Sequence, residues 1–350
     1  MILNLTELTS EPIHSQISRQ VRARVLSGAV ESGEALPLPR GFARRNRVSV
    51  ISVLRAFDDL VAEGWLRKRG GSEVYEAAPV SDERRRDLEQ QRLLETLREQ
   101  EFSLKELELA RDIQCRLLPP PHVAGERWSL VAHNEPARFV AGDFYDVLRH
   151  GEAAASDRVD VVVADVAGKG IGPSLIMASV KAVLPFLTAD RSVTEVLGEL
   201  NQRLRRELSR REFVAMALAR FEPATGRLEL VNAGLPDPYR LVRAGAGARA
   251  EALEVSGERL PLGLREDLEY SCLETILEPG ERLLLMSDGL PEADLPEGGP
   301  YGYERFERLL GASPWEDDPQ AWLDGVLEGL RQGTAEQQRD DWTAVVLERS

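Results

Sequence analysis

The chain has 350 residues, of which 43% are hydrophobic and 29% charged, with a formal net charge of −15; this length predicts two or three domains of about 150 residues each. The first 80 residues carry eleven Lys/Arg and nine Asp/Glu, so the remainder holds a charge of −17. That acidic majority argues against bulk nucleic-acid binding, whereas the mildly basic head leaves DNA binding open. Two cysteines, Cys115 and Cys272, are too few for a disulfide framework. No signal core and no run near a membrane span of roughly 20 residues is present, which predicts a cytoplasmic protein without a membrane partner.

The predicted order of elements in residues 1–79 is three helices followed by a hairpin. Apolar residues repeat at helical spacing in two long runs, each ended by a glycine. Two short runs around a glycine pair then predict the hairpin. The predicted elements are helices over Ile13–Leu26, Phe42–Asn46 and Val50–Val61, and strands over Trp65–Arg69 and Glu73–Tyr75.

This order resembles the GntR-type winged helix over about residues 11–77. The stretches that carry the resemblance are Pro12–Gly28, Gly33–Pro37, Val48-Ser49 and Ala62–Leu66. The recognition helix of that family usually carries two arginines, at positions where this chain has Val50 and Leu54, and Arg47 replaces its turn glycine. Because such arginines supply phosphate contacts and base readout, their loss weakens the inference of DNA binding.

Four arginines stay available for DNA phosphates, or form a solvated helix face. They are Arg40, Arg44, Arg45 and Arg47. Two interpretations of this domain are open at this point: DNA binding, and a domain retained for dimerisation or protein sensing.

Residues 80–118 predict a long linker helix. From Ser81 to Leu118 the chain has no glycine or proline, and Pro119-Pro120-Pro121 ends the run. The interrupted apolar stripe of Leu93, Leu97, Leu104 and Leu107 predicts a coiled-coil seam that pairs two copies into a homodimer. The alternative is an exposed connector helix that packs on its own domain.

Residues from about 122 to 350 alternate predicted strands and helices, which favours an α+β fold. The predicted strands are Leu130–Asn134, Val159–Asp165, Phe213–Phe221, Arg227–Asn232, Arg240–Val242, Glu269–Ile276, Arg282–Ser287 and Trp342–Glu348. The predicted helices are Pro173–Leu187, Val193–Arg211, Gly302–Leu310 and Pro319–Gln332.

Four acidic motifs punctuate this region, three of them where an apolar run begins or ends. They are Gly142–Asp146, Asp165–Gly170, Ser287-Asp288-Gly289 and Asp340-Asp341. Carboxylates at the ends of buried strands converge on one sheet edge and repel one another unless cations lie between them. A single Asp-Gly after a strand is usually only a turn, but four motifs together predict a divalent-metal site. Hard oxygen ligands favour magnesium or manganese over zinc.

The order of these motifs resembles the SpoIIE-type branch of the PPM metal-dependent serine/threonine protein phosphatases, over about residues 110–348. Further matching stretches are Ala110–Pro119, Leu175–Ala178, Asn232-Ala233-Gly234, Leu260–Gly263, Leu290–Ala293 and Trp342-Thr343. The resemblance implies a β-sandwich of two antiparallel sheets flanked by helices, with two Mn²⁺ or Mg²⁺ ions at its edge. The implied domains are therefore a winged helix over 1–79, a linker helix over 80–118 and a phosphatase domain over 119–350.

Positions carried over from the family imply a ligand set. Asp143 and Asp165 would be the catalytic metal ligands, with the carbonyl of Val166 assisting, and Asp288 and Asp340 would complete the shell of one ion. The second-rank candidates, which bind metal or a metal-bound water, are Asp146 and Asp341.

The chain departs from the family at positions that are not expected ligands. Ala141 replaces a glycine, and Lys169 and Leu235 stand where histidine is common. Lys169 and Arg138 are weak candidates for phosphate contact, with solvent exposure as the alternative for both.

The resemblance predicts a phosphoserine/phosphothreonine protein phosphatase that acts on a phosphorylated anti-sigma-factor antagonist and is regulated through the N-terminal domain and linker. The alternative is a winged-helix transcription regulator whose phosphatase-like domain only senses or binds a partner.

Overall fold

The structure is a computed structural model that describes residues 1–6, 11–70, 73–150, 158–336 and 338–350, without the side chains of 82–89, 91–93, 95 and 99. The chain divides into two compact units, Met1–Ser103 and Leu104–Ser350. The predicted turn residue Gly71 and the side chain of the predicted seam residue Leu93 lie outside this description.

Before residue 82, the first unit contains three helices and a two-stranded antiparallel sheet. Helices α1 and α3 pack through buried Ile17, Val21, Val53 and Phe57. Ser49 caps α3, since its side chain accepts a hydrogen bond from the backbone N–H of Ser52. The elements are α1 Ile13–Leu26, α2 Pro39–Asn46, α3 Val50–Ala62, β1 Leu66–Lys68 and β2 Tyr75–Ala77.

A 36-residue helix, α4, covers Asp82–Leu117. Its described leucines at the predicted seam are mostly solvent-exposed: Leu97 is 50% and Leu104 46% exposed. In the second unit the last turns of α4 turn Gln114 inward, where it is buried.

The rest of the second unit is built from two antiparallel sheets and four helices. One sheet has six strands in the order β10-β9-β12-β13-β4-β3, and the other has five in the order β11-β8-β7-β6-β5. The strands are β3 His122–Ala124, β4 Trp128–Glu135, β5 Phe144–His150, β6 Arg158–Val166, β7 Val214–Glu222, β8 Arg227–Ala233, β9 Tyr239–Ala244, β10 Gly247–Ala252, β11 Leu273–Ile276, β12 Arg282–Met286 and β13 Trp342–Arg349. The helices are α5 Ile171–Thr188, α6 Val193–Glu207, α7 Tyr303–Ala312 and α8 Pro319–Gly333.

Three apolar layers hold this unit together. One cluster lies between the two sheets and joins residues such as Val161 and Val163 of β6 to Leu283 of β12 and Val345 of β13. A second cluster packs the five-stranded sheet against α5 and α6, and a third packs the six-stranded sheet against α7 and α8. Both faces of the central strands are therefore buried, which explains their long apolar runs.

Within the part of the chain that the structure describes, one helix, α5, is long and apolar enough to cross a membrane by length and composition alone. Core helices pass the same test. In this structure Met177, Val180 and Leu184 of α5 are buried against the five-stranded sheet.

Side-chain alternation along the strands brings polar residues to one end of the space between the sheets. In β6 the odd-numbered residues Val161 and Val163 face that space, so Asp165 continues the same face. In β13, Val345 and Leu347 face the same space, so Thr343 lies on that face as well. In β4, Leu130 and Ala132 face it, and Asn134 therefore lies on that face too. The apolar sandwich thus ends in a polar edge.

Candidate active site

The first two acidic motifs meet across neighbouring antiparallel strands. Phe144 of β5 pairs with Ala164 of β6, so the register continued by one residue sets Asp143 opposite Asp165. The two carboxyl groups act on each other, since the charge of Asp165 raises the pKa of Asp143, and Asp143 is only 3% exposed. Two acids that close share a proton readily.

Gly142 allows this close approach. A Cβ atom at this position would lie 2.7 Å from the carbonyl oxygen of Val166 and 3.4 Å from Oδ1 of Asp165. Glycine therefore leaves room for the Val166 carbonyl, the predicted backbone ligand, beside the two carboxylates.

The opposite sheet supplies hydroxyl groups to Asp143. Ser287, directly after β12, and Thr343 of β13 are fully buried near Asp143, and their hydroxyl groups lower its pKa against the larger opposite effect of burial. Asn134 Nδ2 in turn donates to Thr343 Oγ1 at 2.8 Å. In contrast, Oδ2 of Asp143 is buried and has no hydrogen-bond partner.

The third and fourth motifs lie against each other. A Cβ atom at Gly289 would lie 2.1 Å from the carbonyl oxygen of Asp341 and 3.4 Å from Cβ of Asp340. The Asp288-Gly289 turn is therefore packed directly on Asp340-Asp341. The charge of Asp340 acts on both Asp165 and Asp288, so the two pairs of motifs form one acidic cluster.

Asp341 holds the loop that precedes Asp143. Its Oδ1 accepts a hydrogen bond from the backbone N–H of Ala137, and its Oδ2 accepts one from Gly142, both at 2.8 Å. The backbone N–H of Asp143 lies 3.5 Å from the same Oδ2. Both carboxylate oxygens of this second-rank candidate are thus engaged by the chain itself.

A second clamp on this loop comes from α4 and was missed in the sequence. Gln114 Nε2 donates to the carbonyl of Ala141 at 2.7 Å, and the N–H of Ala141 donates back to Gln114 Oε1 at 2.9 Å. A buried amide that satisfies both groups of one residue fixes that backbone in place. The only signal in the sequence was a polar residue in the helix stretch that ends at Pro119.

The remaining predicted residues lie around this cluster. Asp146 is buried and pairs with Lys181 of α5 at 2.6 Å, so it faces a cation already supplied by the chain. Lys169 Nζ lies 3.0 Å from Oδ2 of Asp340. Arg138 is exposed on the loop held by Asp341, and the exposed arginines Arg40, Arg44 and Arg45 lie on α2 of the other unit.

Apart from Asp340, which pairs with Lys169, the carboxylates of the cluster have no ion-pair partner among the described residues. Burial, followed by the charge of Asp165, raises the pKa of Asp143 well above its ordinary range. Burial, followed by the charge of Asp288, raises the pKa of Asp165 to about 7. Burial also raises the pKa of Asp288, with Glu292 and Asp340 adding to the effect. In Asp341, the burial effect outweighs the backbone hydrogen bonds that oppose it.

The donor atoms of these residues are of the type that divalent cations prefer. All are hard oxygen donors, and Asp143 offers a buried oxygen without a partner. Within the described ranges, no three His, Cys, Asp or Glu side chains are grouped as a finished cation cage. Side-chain rotation, the Val166 carbonyl and water would have to complete the coordination, as is common for Mg²⁺.

Comparison with known proteins shows the family of this chain. The sequence profile of the family described as stage II sporulation protein E (SpoIIE) matches residues 155–350. The chain belongs to the SpoIIE family. The resemblance predicted from the acidic motifs is therefore confirmed.

Individual relatives cover different parts of this SpoIIE-family chain. It is 26% identical over 261 residues to "Phosphoserine phosphatase RsbU" of Bacillus subtilis (strain 168), which spans 73% of each protein. The structure titled "SiaA-PP2C domain of Pseudomonas aeruginosa" matches 72% of this chain and 98% of that one, with a TM-score of 0.57 and 23% identity. The second unit thus has a PP2C-like fold with antiparallel sheets, as predicted.

A shorter match involves a regulatory protein. "Probable rhizopine catabolism regulatory protein MocR" of Rhizobium meliloti is 36% identical over 71 residues, which are 20% of this chain and 14% of that protein.

Proposed function

We propose that this chain is a metal-dependent phosphoserine/phosphothreonine protein phosphatase. The observation that carries the proposal is the polar edge of the sandwich, where four acidic motifs form one electrostatically coupled cluster with a buried, unpartnered oxygen on Asp143. Family membership and the phosphoserine phosphatase RsbU among the relatives support the same reaction.

The proposed ligands for two Mn²⁺ or Mg²⁺ ions are Asp143, Asp165, the carbonyl of Val166, Asp288 and Asp340. When bound, such ions supply an activated water and charge that stabilises the phosphoryl oxygens. Phosphoryl transfer needs mainly positioning and charge stabilisation, so no nucleophilic side chain is required.

The other residues of the site act on the ligands. Ser287 and Thr343 place hydroxyl groups near Asp143, whose buried Oδ2 has no hydrogen-bond partner and is available to a cation. Asp341 fixes the loop from Ala137 to Asp143 through backbone N–H groups. We therefore assign Asp341 a positioning role, and Asp146 a structural role in its ion pair with Lys181.

Hydrolysis of a phosphoserine peptide and of p-nitrophenyl phosphate with Mn²⁺ or Mg²⁺ tests the proposal. Asp165→Asn should lower kcat by at least about 100-fold, because a ligand oxygen loses its charge. Asp317→Asn is a matched control, since Asp317 is 87% exposed on another surface. Equal metal-dependent rates for wild type and Asp165→Asn would remove the catalytic proposal.

The proposed substrate class is a phosphoserine or phosphothreonine protein of the anti-sigma-factor antagonist type. The resemblance to SpoIIE-type phosphatases implies it, and the name of RsbU supports the phosphoserine part. A panel of phosphorylated antagonist proteins, compared by kcat/KM with unrelated phosphopeptides, distinguishes this class from general phosphatase activity.

For residues 1–79 we propose a GntR-like winged helix, followed by a linker helix over 80–118 and the phosphatase domain over 119–350. Three helices, a hairpin and the short similarity to MocR support the winged helix. The start of α3, where the family reads DNA, exposes apolar Ile51, which is 78% exposed, and Val50. An apolar surface there favours a protein partner over DNA phosphates.

A gel-shift series at several salt concentrations separates this from the alternative, a transcription regulator with a phosphatase-like sensor. Specific binding that survives 200 mM salt, without phosphatase activity, would favour the regulator. Arg44→Gln together with Arg45→Gln tests whether the exposed arginines of α2 carry any such binding.

We further propose that α4 pairs two copies of the chain. Its described seam residues Leu97 and Leu104 are about half exposed, which is costly for a helix without a partner. Leu97→Glu with Leu104→Glu should convert a dimer to a monomer in light scattering, whereas Glu101→Gln should not. A wild-type chain that is monomeric at micromolar concentration would contradict this proposal.

A further inference from the structure

A lysine lies inside the acidic cluster. Lys169 Nζ contacts Oδ2 of Asp340 at 3.0 Å and donates a hydrogen bond to the backbone carbonyl of Arg339. It thereby joins the second acidic motif to the fourth, across 170 residues of sequence.

The backbone around Lys169 is held in a defined loop. The glycines on either side have φ angles of 108° at Gly168 and 95° at Gly170, a region that side chains rarely adopt. The lysine is therefore presented between two positions that only glycine fills without strain. The sequence offered no reason to connect it with Asp340.

Both carboxylate oxygens of Asp340 have partners in this arrangement. Oδ1 accepts the backbone N–H of Asp341 at 3.0 Å, and Oδ2 pairs with Lys169. A divalent ion that binds Asp340 must displace the ammonium group from Oδ2 or share that oxygen with it. Displacement breaks the ion pair, and sharing the oxygen brings two cations close together, so either event weakens metal binding.

Lys169 also has a special place in the charge balance. The carboxylates of the cluster are Asp143, Asp165, Asp288, Asp340 and Asp341. Among the described residues, the one ion pair that any of them makes is the pair of Asp340 with Lys169. Both partners are partly exposed, 39% for Lys169 and 55% for Asp340, so the pair contributes little to folding. The main consequence of this ion pair is that it places a positive charge beside Asp340, a proposed metal ligand.

We propose that Lys169 is an intrinsic competitor of the divalent cation at Asp340 and sets the metal concentration at which the site fills. The inference rests on the proposed metal site and deepens it. A unit positive charge on the order of 5 Å from a divalent ion, at a dielectric close to that of water, weakens binding by about tenfold. The chain would therefore respond to Mg²⁺ or Mn²⁺ at higher concentrations than the same site without this lysine.

Isothermal titration of the metal-stripped full chain with Mg²⁺, and separately with Mn²⁺, tests the inference without reference to activity. Lys169→Gln should bind the ion about tenfold more tightly, while Lys169→Arg, which keeps the charge, should stay within about threefold of wild type. Arg339→Gln is the matched control. It removes a positive charge one residue from Asp340, but Arg339 is 81% exposed and pairs with Asp294. That control should change the affinity less than threefold.

The outcomes separate the two proposals. If wild type binds the ions and Lys169→Gln has unchanged or weaker affinity, this inference is overturned and the phosphatase proposal stands. If Arg339→Gln tightens binding as much as Lys169→Gln, the effect is general charge and the specific contact is refuted. If no variant binds Mg²⁺ or Mn²⁺ at millimolar concentration, both the metal site and the competitor fall together.

Discussion

Without metal, the acidic cluster should destabilise the fold at neutral pH, and Asp165 is the residue to remove. Its pKa of about 7 in the folded chain compares with an ordinary value of 3.8. Between these values the folded state holds a proton that the unfolded state has lost, so stability falls as pH rises from about 4 to about 7. A difference of about 3 pH units at 1.36 kcal/mol per unit corresponds to roughly 4 kcal/mol lost above pH 7.

Asp165→Asn removes that ionisation and nearly keeps the shape of the side chain. In EDTA at pH 8, the variant should be more stable than wild type by roughly 2–4 kcal/mol. At pH 4 to 4.5, where Asp165 is largely protonated in the folded chain, the difference should shrink to below about 1 kcal/mol. Saturating Mg²⁺ should reverse the order at pH 8, because only wild type keeps the full set of proposed ligands.

Urea unfolding followed by tryptophan fluorescence measures these differences, since four of the five tryptophans, Trp128, Trp315, Trp322 and Trp342, lie in the second unit. Asp317→Asn, on an exposed side chain, should show no such pH dependence. Two results would refute the argument that repulsion among these carboxylates destabilises the fold. One is a metal-free Asp165→Asn that is less stable than wild type at pH 8. The other is a difference in the free energy of unfolding between variant and wild type that is the same at both pH values.

Two more predictions test the packing and ion pairs of the sheets that hold the acidic cluster. Arg220 donates two hydrogen bonds of 2.8 Å to fully buried Asp160. Arg220→Met should therefore lower the free energy of unfolding by about 3–5 kcal/mol and the melting temperature by roughly 10 °C, whereas Arg203→Met, at an exposed pair with Glu207, should cost less than about 1 kcal/mol. Gly289→Ala would place a Cβ atom 2.1 Å from a backbone oxygen. Titration calorimetry should therefore show a metal affinity that is lower by at least about tenfold, and the free energy of unfolding should fall by roughly 1–3 kcal/mol. Gly325→Ala, in open space on α8, should retain wild-type affinity, and equal behaviour of the two glycine variants would refute the packing argument.

The sequence predicted the buried central strands of the second unit and missed β3, β5 and β10. Val159–Asp165 was predicted and β6 covers Arg158–Val166, because the sheet is covered on one side by the other sheet and on the other by α5 and α6. Strand β5 was missed, since Asp146 and His150 interrupt its apolar pattern. In the structure these side chains are paired with Lys181 and Asp160, contacts that no local pattern encodes.

The end of α6 shows a similar limit. Its helical pattern continues to Arg211 in the sequence, but the helix ends at Glu207. Leu208 adopts an extended conformation and packs on the core between the sheet and the helices. Tertiary packing therefore overrides the local propensity of the arginine-rich tail of this helix.

Within the candidate site, strand ends predicted where the acids lie, but not what each carboxylate does. Asp340 and Asp341 are neighbours in sequence and were ranked by family position alone. In the structure Asp341 accepts backbone N–H groups from the loop before Asp143, and Asp340 pairs with Lys169. Hydrogen bonds that span about 200 residues depend on the closed sandwich, so the sequence could not assign them.

The loop from Ala137 to Asp143 explains why distant parts of the chain are needed to position Asp143, a proposed ligand. It precedes β5 and contributes no strand pairing of its own, so its backbone groups must find partners elsewhere. Asp341 satisfies N–H groups at Ala137 and Gly142, and Gln114 satisfies both groups of Ala141. The position of Asp143 therefore depends jointly on the last turns of α4 and on the motif that opens β13. A substitution of Gln114 or Asp341 should lower the metal affinity before it unfolds the sandwich. The reason is that neither side chain belongs to the apolar layers between and around the sheets.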